Sequence, residues 1–94
     1  MMLQVEEVFN SGAAGTSTPF RVERETMTAF CPSGNSDAVL QISNAVDGDY
    51  VDVATEEGGI KLSSTINVLY IIGPGWYRFN VEQPTSQYSI YVMG

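Results

Sequence analysis

The stretch IKLSSTINVLYII, residues 60–72, decides the fold class. Its even-numbered positions are apolar or aromatic apart from Ser64, whereas the odd-numbered positions from 61 to 67 are polar. This alternation has the two-residue period of a half-buried β-strand rather than the 3.6-residue period of a helix. It predicts one long strand, or two shorter strands broken at Ser63-Ser64, with the even-numbered side chains on the apolar face.

Similar alternating segments lie on both sides of this stretch. Turn residues such as Asp47-Gly48 and Gly73-Pro74-Gly75 separate them. The chain has 16 Val and Ile against 4 Leu, a bias that suits strands, and no segment is left for the crossover helices that parallel strands require. We therefore predict an all-β protein, an antiparallel β-sandwich or small jelly roll of seven to eight short strands. The predicted strands are 2–9, 20–30, 38–43, 50–54, 60–72, 76–82 and 88–92.

Alternation also predicts which side chains of each strand share an apolar face. Strand 20–30 has mixed parity, so we expect a β-bulge near Glu25. The apolar faces predicted for the later strands comprise Ala38, Leu40, Ile42, Val51, Val53, Tyr77, Phe79, Val81, Tyr88, Ile90 and Val92.

The first strand is separated from the others by a segment of small and polar residues. Residues 10–19, NSGAAGTSTP, have the composition of a flexible tether. We therefore divide the chain into an amino-terminal arm at 1–19 and a sandwich body at 20–94. A strand on a tether can add to the sheet edge of a neighbour, with Leu3, Val5 and Phe9 filling pockets there. The alternative is an ordinary first strand that pairs within its own chain.

Composition excludes several classes of function. The 94 residues include 4 Lys and Arg, 11 Asp and Glu and no His, which gives a net charge of −7. That charge opposes binding to nucleic acid, and no apolar run approaches the length of a membrane span. Without His the chain lacks the commonest general base and zinc ligand, and the single Cys31 allows no internal disulfide. We expect neither enzymatic activity nor a bound cofactor.

One acidic cluster leaves a metal site open. Asp47, Asp49 and Asp52 lie close together in the sequence, with Glu56 and Glu57 nearby. Carboxylates at this spacing could bind calcium, although their order is not that of an EF-hand loop. A turn followed by a solvated strand edge explains the same residues without a metal.

Trp76 and Arg78 are the outward residues of greatest interest. They lie two residues apart on one predicted strand and so share a face. Trp, Tyr and Arg are enriched at the energetic centres of protein interfaces, which favours a protein–protein contact at these residues. The alternatives are that Trp76 covers the edge of the core with Arg78 stacked on it, or that Trp76 together with Tyr50 or Tyr91 stacks on a sugar.

Residues 38–81 contain three strand-and-turn segments in a recognisable order. They are AVLQIS at 38–43, DGDYVDV at 47–53 and GPGWYRFNV at 73–81. Together they resemble small β-sandwich proteins from the virions of tailed bacteriophages, whose modules run strand, S-x-D-G, aromatic, D-V/L and later G-x-Y-R. Here the separation between Ser43 and Asp47-Gly48 is longer, and Tyr50 stands where Trp is usual. The resemblance implies a capsid decoration (cement) protein, a head fibre base or a tail accessory protein, and it carries over no catalytic residue.

Charge and resemblance lead to one functional expectation. Cement proteins lie on the outer capsid and join neighbouring shell subunits, a location that suits an acidic protein better than the DNA-facing side. We expect a structural virion protein that binds the major capsid protein at the outer capsid surface, as a homo-oligomer, with a trimer favoured. The alternatives are a carbohydrate- or receptor-binding module of a phage fibre and a tail or connector accessory protein.

Overall fold

Twelve β-strands run through the part of the chain that the computed structural model describes, residues 5–23, 26–32, 36–55 and 58–94. Five of them are only two residues long. These described residues contain no helix long and apolar enough to cross a membrane. In chain order the strands are β1 (Val5–Ser11), β2 (Gly15–Thr16), β3 (Phe20–Val22), β4 (Thr26–Phe30), β5 (Ala38–Ser43), β6 (Val51–Asp52), β7 (Ala54–Thr55), β8 (Gly58–Gly59), β9 (Lys61–Leu62), β10 (Val68–Ile72), β11 (Gly75–Val81) and β12 (Tyr88–Met93).

The strands form two main antiparallel sheets. One has four strands in the order β1-β12-β4-β10. The other has six: β2, β11, β5 and β6 in that order, with β3 also paired to β11 and β9 also paired to β5. Strands β7 and β8 pair with each other in a small hairpin. The prediction of an all-β antiparallel sandwich is confirmed.

The core lies between the inward faces of the two sheets. Phe79 of the six-stranded sheet and Tyr88 and Ile90 of the four-stranded sheet have no exposed surface. Burial of a large apolar side chain contributes about 1.5–3 kcal/mol, so this layer supplies most of the driving force for folding. The alternation predicted for 76–82 and 88–92 is confirmed, because odd-numbered residues of β11 and even-numbered residues of β12 are buried.

The amino-terminal strand belongs to the same sandwich. β1 pairs with β12 of its own chain, which is the alternative that the sequence left open. Val8 and Phe9 are both buried next to an irregularity in the register between Glu7 and Phe9. A β-bulge of this kind allows two successive residues to contact the core.

The segment expected to be a tether is held by hydrogen bonds to both sheets. The Ser17 amide donates to the Phe79 carbonyl, and the Phe79 amide donates to Ser17 Oγ, both at 2.8 Å. The next amide, that of Thr18, donates to the Val8 carbonyl of the other sheet at 2.8 Å. Ser17 is buried and lies between β2 and β3 in the sequence. There its hydroxyl, instead of a backbone carbonyl, accepts the hydrogen bond from the Phe79 amide.

The strand predicted at 20–30 is two strands in different sheets. β3 pairs with β11 of the six-stranded sheet, whereas β4 pairs with β10 and β12 of the four-stranded sheet. The mixed parity of this segment therefore reflects a change of sheet rather than a bulge within one strand. Glu25, where the bulge was expected, lies outside the described residues.

The stretch at 60–72 is also two strands, divided near the predicted position. The Ser63 amide donates to the Ile66 carbonyl at 2.7 Å, and Ser63 Oγ accepts from the Ile66 amide at 3.1 Å. This turn takes the chain from β9 in the six-stranded sheet to β10 in the four-stranded sheet.

The predicted apolar face is wrong after this turn. Leu62 is buried as expected, but on β10 the buried residue is Ile71, at 2% exposure, while Tyr70 and Ile72 are each 73% exposed. The turn ends one run of alternation and begins another in the opposite sheet, so the parity of β9 does not extend to β10.

Gly73 is required by the close approach of two strands. A Cβ atom at position 73 would lie 2.7 Å from both the Glu23 carbonyl oxygen and Val22 Cγ1. These distances are too short for any other residue type unless the backbone moves. The glycine therefore lets the turn between β10 and β11 pack against the end of β3.

A single pair of neighbouring isoleucines tests the parity of β10. Ile71→Ala should lower the free energy of unfolding by about 2–4 kcal/mol, because it leaves a cavity in the core. Ile72→Ala should change it by no more than about 0.5 kcal/mol, because the side chain is mostly in solvent. Urea unfolding at sub-micromolar protein concentration measures both within a single chain, and the reverse order of effects would contradict the described register.

The Tyr88 hydroxyl provides a second test of the core. It is buried and, among the described residues, has no hydrogen-bond partner. Burial first, and then the neighbouring Cys31 thiol, raise the pKa of Tyr88 above its ordinary value near 10. Because only the neutral form suits the folded state, the hydroxyl ionises more readily in the unfolded chain. The free energy of unfolding is therefore unaffected by this ionisation below pH 10 and falls as the pH rises further.

Tyr88→Phe should therefore stabilise the protein by about 1 kcal/mol at pH 7, since it removes an unsatisfied polar group. It should also reduce the loss of stability above pH 10. A smaller decline should remain, because burial likewise raises the pKa of Tyr77. Urea midpoints at pH 7 and above pH 10 measure both effects, and an unchanged alkaline decline would show that Tyr88 does not titrate as described.

Candidate functional site

The outward face of β11 lies at the centre of the six-stranded sheet. The register places Trp76 between Arg21 of β3 and Ser43 of β5. Arg78 lies opposite Gln41 of β5. Trp76 and Arg78 are therefore on one surface, as alternation along a strand predicts, and both are partly buried.

A chain of hydrogen bonds fixes the position of the Arg78 side chain. Its Nε donates to Gln41 Oε1 at 2.8 Å, and Gln41 Nε2 donates to Asp52 Oδ1 at 2.9 Å. Gln41 is only 8% exposed, so its amide is held between the guanidinium and the carboxylate. The Gln41 amide thereby orients the guanidinium of Arg78.

The Tyr50 ring makes a second contact with the same guanidinium. The Arg78 Cζ atom lies 4.2 Å from the centroid of the Tyr50 ring, within the range of a cation–π contact. The Tyr50 hydroxyl donates to the Val46 carbonyl at 2.9 Å, which anchors the ring to the preceding loop. We call the surface formed by Arg21, Gln41, Tyr50, Asp52, Trp76 and Arg78 the Arg78 face.

Among the described residues, the two cations of the Arg78 face take part in no ion pair. Among the described residues the one salt bridge joins Lys61 Nζ to Asp37 Oδ2 at 2.9 Å, and Arg21 and Arg78 take no part in it. The hydrogen bond to Asp37 is the main cause of the raised pKa of Lys61, but the pair is solvent-exposed and adds little stability. Arg21 and Arg78 thus contribute two positive charges to a face that also contains the Asp52 carboxylate, on a chain of net charge −7.

The residues proposed for the amino-terminal arm have different surroundings. Phe9 is buried and packs edge-on against Tyr88, with ring centroids 6.3 Å apart. Its side chain therefore fills the core of its own sandwich rather than a pocket of a partner. Val5 is 57% exposed, whereas Leu3 lies outside the described residues.

The acidic cluster is dispersed in the structure. Asp52 accepts the hydrogen bond from Gln41, while Asp49 lines a shallow depression of about 560 Å³ together with Ser43 and Asn44. Within residues 5–23, 26–32, 36–55 and 58–94, no three Asp, Glu, Cys or His side chains lie close enough to hold a metal ion. Asp47, Asp49 and Asp52 thus do not form a common site, and Glu56 and Glu57 lie outside those ranges.

A second surface was missed by the sequence analysis. Val68, Tyr70 and Ile72 of β10 are 41%, 73% and 73% exposed, on the outward face of the four-stranded sheet. They were predicted to lie on the apolar inward face. One signal was available: residues 68–72, VLYII, are apolar or aromatic at every position, so either parity could have faced the core. We call this surface the β10 face; its members are Val5, Phe30, Val68, Tyr70, Ile72, Tyr91 and Met93.

Comparisons with protein-family models, with curated proteins and with solved structures gave no match. A functional assignment therefore rests on the resemblance at 38–81 and on the two outward faces.

The order of the Arg78 side chain depends on Gln41. Gln41→Ala should release the guanidinium and lower the free energy of unfolding by about 1 kcal/mol, because it removes two hydrogen bonds near the surface. The Nε–H proton of Arg78, observed by NMR, should then exchange faster with water. Asn80→Ala is the matched control, because Asn80 is exposed on the same strand. Equal exchange in Gln41→Ala and the wild type would show that the amide does not hold the guanidinium.

Proposed function

We propose that this chain is a structural virion protein that decorates the outer capsid of a tailed phage. It binds the major capsid protein through the Arg78 face and bridges neighbouring shell subunits. The sequence resemblance at 38–81 supports this assignment, and that segment includes five of the six residues of the face. The mechanism is mechanical, since a protein bound across two subunits adds to the free energy needed to separate them.

The observation that carries the proposal is the fixed position of Arg78. Its Nε donates to Gln41 Oε1, and its Cζ atom lies 4.2 Å from the centroid of the Tyr50 ring. A side chain ordered in the free protein loses less conformational entropy when a partner binds. Among the described residues no further hydrogen bond to this guanidinium is formed, so its terminal N–H groups are available to an external acceptor.

Charge indicates the kind of surface that the Arg78 face would bind. Arg21 and Arg78 have no ion-pair partner among the described residues, and Trp76 is the cross-strand neighbour of Arg21 and lies two residues from Arg78 on β11. An arginine binds a carboxylate through two parallel hydrogen bonds, and an adjacent aromatic residue excludes water from that contact. A shell surface that offers Asp or Glu beside an apolar pocket would match both groups.

The same geometry argues against a sugar-binding platform on this face. Stacking on a sugar needs a free face of an aromatic ring, but the Arg78 guanidinium occupies one face of the Tyr50 ring. Trp76 is partly buried, with Arg21 and Ser43 as its cross-strand neighbours. Protein docking therefore explains this arrangement better than the fibre-module alternative does.

Binding to undecorated capsids of the same virus tests the proposal. The purified chain should add stoichiometrically to such shells and co-sediment with them. Trp76→Ala should weaken binding by about 2 kcal/mol or more, as for a residue at the centre of an interface. Arg78→Lys should weaken it about tenfold, because lysine cannot retain both the Gln41 hydrogen bond and the planar stacking.

The controls separate a lost contact from a lost fold. Ile66→Ala changes an exposed residue of the turn at 63–66, outside the Arg78 face, and should leave capsid binding unchanged. The proposal fails if the wild-type chain does not bind shells, or if Ile66→Ala weakens binding as much as Trp76→Ala. Binding to a glycan array that free sugar competes away would instead support a fibre module.

A further inference from the structure

The β10 face is organised in rows that run across the four-stranded sheet. The register of the strands places Val5, Met93, Thr28 and Tyr70 side by side in one row. A second row contains Glu7, Tyr91, Phe30 and Val68. Among the described residues β10 pairs with a strand on one side only, so it is an edge strand of the sheet. Ile72 lies on this edge, beyond the first row.

This surface has both a projection and a depression. Tyr70 and Ile72 project from the sheet edge, each with 73% of its surface exposed. Beside them is a depression of about 340 Å³, lined by Thr28, Phe30, Cys31, Pro32, Asn67, Val68 and Met93. The depression has no charged residue in its lining, and its volume is sufficient for an aromatic ring.

The outward residues of β4, β10 and β12 carry no charge, although the chain has a net charge of −7. Glu7, on β1, is the charged member of the two rows and lies at the far side of the sheet from β10. Two copies of an acidic protein repel each other least where both surfaces are neutral. An acidic or basic partner would gain no electrostatic attraction from this face, whereas a second copy offers the same apolar groups.

We propose that the β10 face binds a second copy of this chain. The two copies are related by a two-fold axis, and Tyr70 of each enters the depression beside Phe30 and Met93 of the other. This contact needs no capsid and is separate from the Arg78 face, which lies on the opposite sheet.

The area of the face is consistent with this contact. Its four most exposed side chains present roughly 300 Å², taking about 200 Å² for a whole tyrosine and about 100 Å² for a whole valine or isoleucine. A two-fold contact buries this area on both copies, and the partly buried Phe30, Tyr91 and Met93 bring the total towards about 1,000 Å². An interface of that size gives a dimer that dissociates on dilution.

A two-fold contact has consequences for the oligomer. Because each copy presents the same patch to the other, the contact closes at two copies. The trimer favoured from the sequence would need a different, head-to-tail contact between unlike surfaces. The stoichiometry in solution therefore bears directly on the proposal.

Sedimentation equilibrium of the purified chain tests it. The average mass of the wild type should rise with protein concentration from 10.2 kDa towards twice that value. Tyr70→Glu and Ile72→Glu should each raise the dimer dissociation constant at least tenfold, because they place a charge in the apolar contact. Both side chains are largely in solvent in the single chain, so the far-ultraviolet circular dichroism spectrum should not change.

Val51→Glu is the matched control. Val51 is likewise an exposed apolar residue of a strand, with 60% of its surface exposed. It lies on β6 of the six-stranded sheet. The Val51→Glu substitution should leave the dimer dissociation constant unchanged, as should Trp76→Ala. The proposal is overturned if the wild type is monomeric at every concentration, if it forms a trimer, or if Tyr70→Glu dimerises as well as the wild type. None of these results bears on whether the Arg78 face binds a capsid.

Discussion

The apolar layer between the two sheets fixes the direction of the side chains in every longer strand of this protein. A residue in a strand has only two directions available, towards the layer or away from it. Once Phe79, Tyr88 and Ile90 are buried, their neighbours in sequence must face outward. The chemistry of both outer surfaces therefore follows from which parity each strand gives to the core.

The two outer surfaces differ in how their side chains are held. On the six-stranded sheet, hydrogen bonds and ring contacts connect Asp52, Gln41, Arg78 and Tyr50 into one fixed arrangement. On the four-stranded sheet, Phe30 and Tyr91 stack at 5.4 Å, but Tyr70 and Ile72 project into solvent. The first surface suits a directional polar contact, and the second suits one driven by removal of apolar area from water.

A small polar turn determines the character of the second surface. Ser63 satisfies the backbone of the turn at 63–66 with its own hydroxyl and amide, which lets the chain pass from one sheet to the other within four residues. After this turn Ile71 faces the core and its neighbours Tyr70 and Ile72 face solvent. The unpartnered tyrosine and isoleucine are thus a product of where the chain changes sheet.

From the sequence we could predict the strand character of the chain, its main turns, and the buried faces of β11 and β12. These features depend on contacts between near neighbours, since alternation and turn residues act over a few positions. The sequence also indicated that Trp76 and Arg78 share a face. It did not reveal that 20–30 divides between two sheets, that Ser17 and Phe79 hold each other, or that Phe9 belongs to its own core. It assigned the wrong parity to β10. These points depend on contacts between distant parts of the chain. A strand that is apolar on both sides can turn either face inward, and its choice depends on which distant strand pairs with it.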